Sequence, residues 1–458
     1  MNAPFSAAVG QALAFLEANG TASSARLQAL LGKSQPTVSR LLAGLGVRGV
    51  VGLRGGRGAL YGLRKPLLGS VSGEQPIWRH DASGHVERWG SLRWLAANHI
   101  HVAGAAGGEW LVKDTLPWFL APLRHEGFLG RLHARTTPLS ATFGDDPQRW
   151  SVEQHLCAAV TQLHDAPGAF TLGEPAALPS TNPATEPAPL DDAARALLHD
   201  AIASDVARHL PAGSSAAGEQ PKFLVAQHAP HSVTDALRHL IVKFTPPLDT
   251  PFGARWNDLL HAEAIALQTL GEAGEPVARV KVLTSARRGY LEAQRFDRNG
   301  RHGRRHAVPL WAVHDAFCAG PKQHWAATCE ALATQRKLSA RDVQSVRLWR
   351  AFGLLIGNND MHFGNLSLFA EDPATPEFAL APCYDMLPMA YKPEPARDDF
   401  GLAPLNLTRP VAFDSATWGQ AVELAAGVWD KLATHAPCSA GFREVAAQNA
   451  RRVRALAR

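Results

Sequence analysis

The chain has 458 residues, 46% of them hydrophobic, and a formal net charge of +5. That length predicts about three domains with ample apolar content for packed cores, and the mild positive excess favours anionic partners without being a polybasic signature. Its five cysteines (Cys157, Cys318, Cys329, Cys383, Cys438) are scattered, with no C-x-x-C pair, which argues against a disulfide frame or a zinc site and for reduced thiols in a cytoplasmic protein.

No positively charged side chain precedes the apolar residues of the N-terminus, so it does not read as a secretory signal. No apolar run approaches the ~20 residues of a membrane span, and no membrane contact is expected. Ala7 to Asn19 shows a helical apolar pattern that Gly20 ends. Residues 21–24 suit the cap of a second helix through Leu31. Ser34, with Pro36 in the first turn, suits the cap of a third. Val38, Leu41, Leu42 and Leu45 of that helix face a core, while Gln35, Thr37, Ser39 and Arg40 face outward. A strand, a Gly-rich basic turn and a second strand follow. Helix, turn, helix and basic hairpin predict a winged helix-turn-helix over residues 1–66. The second helix of such a pair is the usual reader of double-stranded DNA. Ser34, Gln35, Thr37, Ser39 and Arg40 would be its reading face, and Arg54, Arg57, Arg64 and Lys65 would reach phosphates. The same shape also serves protein docking or dimerisation.

Residues 67–190 mix short strands and helices and hold no catalytic constellation. Five prolines between Pro175 and Pro189 mark an extended linker at their end. Residues 191–300 read as helix, small-residue loop, strand, and a second strand closing on Lys243. A helix carrying Glu263 and two further strands (Val277 to Thr284, Tyr290 to Phe296) follow. The loop GSSAAGEQPKFLV (213–225) is not a Walker A sequence; its backbone N–H groups suit phosphates. An apolar strand ending on a lysine is how kinases hold the α- and β-phosphates, and Glu263 is the candidate partner of that lysine.

Residues 301–458 are mostly helical. Ser339 and Asp342 form a capping pair for the helix that ends at Gly357. Beyond it Asp360 and Asn365 stand five residues apart, the kinase spacing of catalytic base and metal-binding amide. Two strands, Leu366 to Phe369 and Phe378 to Pro382, then deliver Asp385. Hard oxygen ligands of this kind suit Mg²⁺. Taken alone, an Asp-x4-Asn loop is ordinary turn chemistry; the order of parts along the chain is what argues for a kinase. The twenty histidines show no metal-ligand spacing.

With SAAGEQPK (215–222), IVKF (241–244), QRFDR (294–298), NNDMHFGN (358–365) and CYDM (383–386), the chain from about Trp118 onward resembles the HipA-like serine/threonine kinases of toxin–antitoxin systems. A helix-turn-helix fused in front resembles the YjjJ-like subgroup. The resemblance implies an α+β chain with a two-lobed kinase fold and a mostly helical C-terminal lobe. It implies ATP and Mg²⁺ as cofactors, with Asp360 as base, His362 bracing the loop, and Asn365 and Asp385 on the metal. Ser215, Gly218, Gln220 and Lys222 would form the phosphate loop, and Lys243, supported by Glu263, would bind the phosphates. Gln294, Arg295 and Phe296 would form the adenine hinge through backbone groups and Asp297 would contact the ribose. Ser215 or its neighbour Ser214 would be autophosphorylated, which adds about two negative charges beside the phosphate site and switches the enzyme off. A protein substrate from the translation machinery is implied too, and a homodimer is the form in which helix-turn-helix proteins read paired half-sites. The rival reading is a DNA-binding regulator whose kinase fold serves as nucleotide sensor or scaffold.

Alanine at Arg40 and Arg57 is expected to weaken DNA retention and flatten its salt dependence, measured by gel shift across a salt series.

Overall fold

The computed structural model describes all residues except 1–2, 55–57, 69–70, 162–164, 175–189, 210–219, 229–236, 395–401, 411–412 and 458. It forms two compact units. The first comprises Met1–His80, Val86–His125 and Thr137–Leu178; the second comprises Asp81–His85, Glu126–Thr136 and Pro179–Arg458.

The first unit opens with α1 (Ala3–Asn19), β1 (Thr21–Ser23), α2 (Ser24–Leu31) and α3 (Gln35–Gly44), followed by β2 (Val50–Arg54) and β3 (Leu60–Leu63). Leu16, Leu27, Val38, Leu41, Leu42, Leu45, Val50 and Leu63 are all buried in one cluster. Ser23 caps α2, its hydroxyl accepting from the Arg26 N–H, and Gly32 ends the helix at φ 58°. Ser34 occupies the N-cap of α3, but makes no side-chain capping bond. Its hydroxyl pairs with that of Thr37 at 3.1 Å instead. The hairpin gains a third strand, because β1 pairs with β3 in the order β1-β3-β2. Residues 21–23 are too few to register as a strand by periodicity.

The rest of this unit is a five-stranded antiparallel sheet in the order β7-β6-β5-β4-β8. Its strands are β4 (Glu74–His80), β5 (Val86–Leu95), β6 (His99–Gly104), β7 (Glu109–Lys113) and β8 (Phe170–Leu172). Between β7 and β8 lie α4 (Gly127–Thr136, part of the second unit), α5 (Leu139–Phe143) and α6 (Val152–Thr161).

The second unit continues with α7 (Asp192–Arg208), β9 (Lys222–His228), β10 (Leu237–Phe244), α8 (Pro251–Glu272), β11 (Val280–Thr284) and β12 (Gly289–Gln294). These strands form an antiparallel sheet ordered β11-β12-β10-β9. Phe223, Leu240, Val242, Phe244, Leu283 and Tyr290 pack from the sheet against Ala196, Ala203 and Val206 of α7 and Phe128 of α4. Strand periodicity then sends Lys243 to the opposite face from Val242 and Phe244. Two boundaries differ from the sequence expectation. Strand β11 begins at Val280, because Val277 forms a parallel bridge to Cys383 instead. Strand β12 ends at Gln294, because Arg295 and Arg298 both turn onto Asp297 and curl the chain.

After the short β13 (Arg298–Asn299), β14 (Gly303–Arg304) and β15 (Ala307–Pro309) come α9 (Leu310–Phe317), α10 (Trp325–Thr334) and α11 (Ala340–Ile356). Then follow β16 (Ser367–Ala370), β17 (Phe378–Leu380), α12 (Ser415–Thr434) and α13 (Ala440–Ala455). The expected two-stranded ribbon is a three-stranded sheet, β15-β16-β17. The third strand has three residues and ends on a proline, so the sequence reads it as loop. Helix α11 starts where Ser339 accepts from the Asp342 N–H at 3.0 Å. It buries Val343, Val346, Trp349, Phe352, Leu355 and Ile356. Gly357 ends it at φ 78°, and a Cβ there would meet Leu405 at 2.9 Å. No helix among the described residues is long and apolar enough to cross a membrane, and all five cysteines are free.

Two buried histidines make the fold sensitive to acid. Burial, reinforced by His435, lowers His261 to about 4; burial, reinforced by Arg124, lowers His155 to about 4. His435 Nε2 lies 2.9 Å from His261 Nδ1, so protonating both would remove the only acceptor. The unfolded chain, with histidines near 6.5, binds more protons than the native state below that value. Their contribution is therefore intact above about pH 6.5 and lost as the pH falls toward 4. Thermal melts across pH 7.5 to 4.5 should show the midpoint falling through this window, with a shallower fall for His261→Gln.

Candidate active site

The site starts from one buried ammonium. Lys243 on β10 is 5% exposed. Its Nζ lies 2.6 Å from both carboxylate oxygens of Glu263 on α8 and 2.5 Å from Asp385 Oδ1. Lys222 sits directly opposite Lys243 across the β9–β10 ladder. Like charges in such a pair repel, and the two carboxylates offset them. Burial lowers the affinity of Lys243 for its proton, but the charges of Asp385 and Glu263 outweigh this and hold it protonated far above the usual lysine range. Burial would push the Asp385 carboxyl up; the charges of Lys243 and Lys222 win and hold it at about 2. Glu263 goes the other way, raised by its complete burial against the opposing pull of Lys243.

Backbone hydrogen bonds carry Asp385 to this place. The Cys383 N–H bonds the Pro276 carbonyl at 2.8 Å, and the Ala278 N–H bonds the Cys383 carbonyl at 2.8 Å. Asp385 itself has φ 52°, a left-handed conformation that costs an L-residue free energy.

The second arm is the loop after α11. The Asn358 N–H returns to the Gly353 carbonyl at 2.8 Å. Its buried side chain accepts from the Asp360 N–H at 3.0 Å and donates to the Asp385 carbonyl at 3.4 Å. A Cβ on Gly353 would meet Met361 Sδ at 2.5 Å, so glycine lets α11 approach the loop closely. Asp360 is exposed. Its carbonyl receives the Asn365 side-chain amide at 2.9 Å and the His362 N–H at 2.8 Å. His362 is exposed, and its Nδ1 accepts from the Gly364 N–H at 3.0 Å. With its amide nitrogen committed, Asn365 keeps its side-chain oxygen for another partner.

The structure thus joins Lys222, Lys243, Glu263 and Asp385 in one charged cluster, and Asp360, His362 and Asn365 in one loop tied to it through Asn358. Gln220 is buried, and its Nε2 has no partner among the described residues. Ser214, Ser215 and Gly218 lie outside the described residues. Phe296 is half-buried beside Phe369 and Tyr384, with ring centroids 5.8 and 5.6 Å away. Gln294 pairs with Leu240, so its side chain belongs to the α7 face of the sheet rather than the Lys243 face. Arg295 binds Asp297 through two bonds of 3.0 Å. Arg298 binds the same carboxylate at 2.7 Å, so Asp297 is buried in an ionic network, not presented as an open ribose acceptor. Sequence reasoning assigned no role to Asn358 or Tyr384. An asparagine after a helix-ending glycine reads as turn chemistry, and its grip on Asp385 spans 27 residues.

In the N-terminal element Gln35, Ser39, Arg40 and Ser34 are exposed and Thr37 is half-buried. Arg40 Nε donates to the Pro36 carbonyl at 3.3 Å. The side chain of Arg54, and Arg57 altogether, lie outside the described residues. Arg64 bonds Glu74 and Lys65 bonds Glu17 at 2.9 Å, so these two cations have protein partners. Ion pairs this exposed are weak and exchangeable.

Removing the ammonium would strand two carboxylates. Lys243→Ala is expected to cost about 3–5 kcal/mol. The double variant Lys243→Met/Glu263→Leu should recover much of that loss, read from denaturant midpoints.

Residues 214–455 match the HipA-like C-terminal domain family, and residues 71–179 match the family described as YjjJ-like toxin, middle domain. The chain is 34% identical over 447 residues to the protein named Toxin YjjJ of Escherichia coli strain K12, covering 95% of this chain and 96% of that one. In fold it is similar to a chain of the Shewanella oneidensis MR-1 complex of HipA, HipB and operator DNA. There the TM-score is 0.54 and the identity 17%, over 84% of this chain and 96% of that one. A buried lysine–glutamate–aspartate cluster beside an Asp-x4-Asn loop, on a fold shared with that complex and with this extent of identity, places the chain in the HipA-like toxin family.

Proposed function

We propose that the protein is an ATP- and Mg²⁺-dependent serine/threonine protein kinase. The observation that carries this reading is the Lys243 ammonium held between Glu263 and Asp385, facing a loop that exposes Asp360. In kinases such a lysine binds the α- and β-phosphates and such an acid binds metal. The donor set fits the ion: Asp385 offers a carboxylate and Asn365 an uncommitted amide oxygen, both hard ligands. When bound, Mg²⁺ would neutralise charge on the nucleotide phosphates. Lys243 and Lys222 would add two positive charges, and Gln220 Nε2, without a partner among the described residues, is a candidate donor near the start of β9. Asp360 would take the proton of the attacking substrate hydroxyl. Phosphoryl transfer asks for positioning and charge neutralisation rather than covalent chemistry, and this cluster offers both. Ser215 or Ser214 would be the autophosphorylated, inhibitory position.

The N-terminal helices and basic hairpin would form a winged helix-turn-helix with α3 as reading helix on double-stranded DNA. The exposed Gln35, Ser39 and Arg40 support this, as does the absence of acidic residues between Gly20 and Glu74. The Shewanella oneidensis complex similar in fold, which holds HipA, HipB and operator DNA, supports DNA and protein partners. A protein substrate and a homodimer complete the reading.

Mass spectrometry after incubation with Mg-ATP tests it. A phosphate on Ser214 or Ser215 in the wild type, reduced at least ~100-fold in Asp360→Gln with ATP still bound, is the expected outcome. Equal phosphorylation in the variant would remove Asp360 as base.

A further inference from the structure

The phenol of Tyr384 is a polar group that the kinase reading leaves without a task. Its Oη lies 2.8 Å from the Gly364 carbonyl and 2.8 Å from Ser367 Oγ. A phenol has one proton, and a carbonyl can only accept. That proton therefore goes to Gly364, and Ser367 must donate to Tyr384. The result is a directed chain, Ser367 to Tyr384 to the Gly364 carbonyl, whose bonds reinforce one another. Gly364 immediately precedes Asn365, and Tyr384 immediately precedes Asp385. The phenol thus clamps one residue before each of the two candidate metal ligands.

Asp385 needs such a clamp. Its positive φ is held against an intrinsic preference, and its own carbonyl receives a long 3.4 Å bond from Asn358. The Tyr384 ring also packs against Phe296, a contact that phenylalanine would keep. Ring and hydroxyl are therefore separable: the ring contributes to packing, and the hydroxyl holds the loop in register.

We propose that Tyr384 is a positioning residue, whose hydroxyl fixes the spacing between the Asn365 loop and Asp385 so that both oxygens serve one Mg²⁺. This rests on the kinase reading above. The test uses the full chain as wild type, Tyr384→Phe and Ser367→Ala. It measures the Mg²⁺ dependence of ATP binding, nucleotide affinity without metal, and the thermal midpoint. The Mg²⁺ midpoint of Tyr384→Phe is expected to rise roughly three- to tenfold, the range set by one hydrogen bond. Metal-free affinity and melting should stay near wild type, and Ser367→Ala should shift the Mg²⁺ midpoint less, in the same direction. If Tyr384→Phe does not fold, Ser367→Ala carries the test. An unchanged Mg²⁺ midpoint in folded variants overturns the proposal alone. An equal loss of metal-free affinity also overturns it, because the hydroxyl would then act on the nucleotide pocket. A wild type that binds no Mg-ATP overturns the kinase reading and this inference together.

Discussion

The second unit is organised around a single ammonium group. Lys243 draws together a strand, a helix and a segment 142 residues further along the chain. A buried charge is tolerable only when it is paired and hydrogen-bonded, so this one forces Glu263 and Asp385 to come to it. A lysine between two carboxylates is also poised. Either acid can be given up to another cation while the other keeps the ammonium satisfied.

Around that centre, small backbone devices do the positioning. Gly357 stops α11 in a left-handed turn, and Asn358 returns its N–H to the helix and its side chain to the loop. Gly353 lets the loop methionine lie against the helix. The bonds linking Pro276, Ala278 and Cys383 aim Asp385 at the sheet. Each removes a degree of freedom from the charged cluster or the loop beside it, which lowers the entropy cost of assembling them.

The first unit follows a different logic. Its N-terminal helices are small and amphipathic, and their apolar faces meet in one cluster. The outward face of α3 is left polar and cationic. The match to the Escherichia coli relative covers 95% of this chain and so extends over both units.

The sequence by itself determined most of the local structure. Ser339 and Gly357 bracket α11 because a hydroxyl cap and a left-handed glycine act within one turn. Alternation along β10 places Val242 and Phe244 on one face and Lys243 on the other. The order of loop, lysine, acid and Asp-x4-Asn was legible because each part is a short pattern. What the sequence could not contain was contact across distance. That Arg64 and Lys65 have acidic partners, that β15 joins the ribbon, and that Tyr384 clamps the Asn365 loop all depend on residues brought together by packing. Single-residue chemistry states what a side chain can bind. Only the tertiary structure decides which of its possible partners arrives within hydrogen-bond reach.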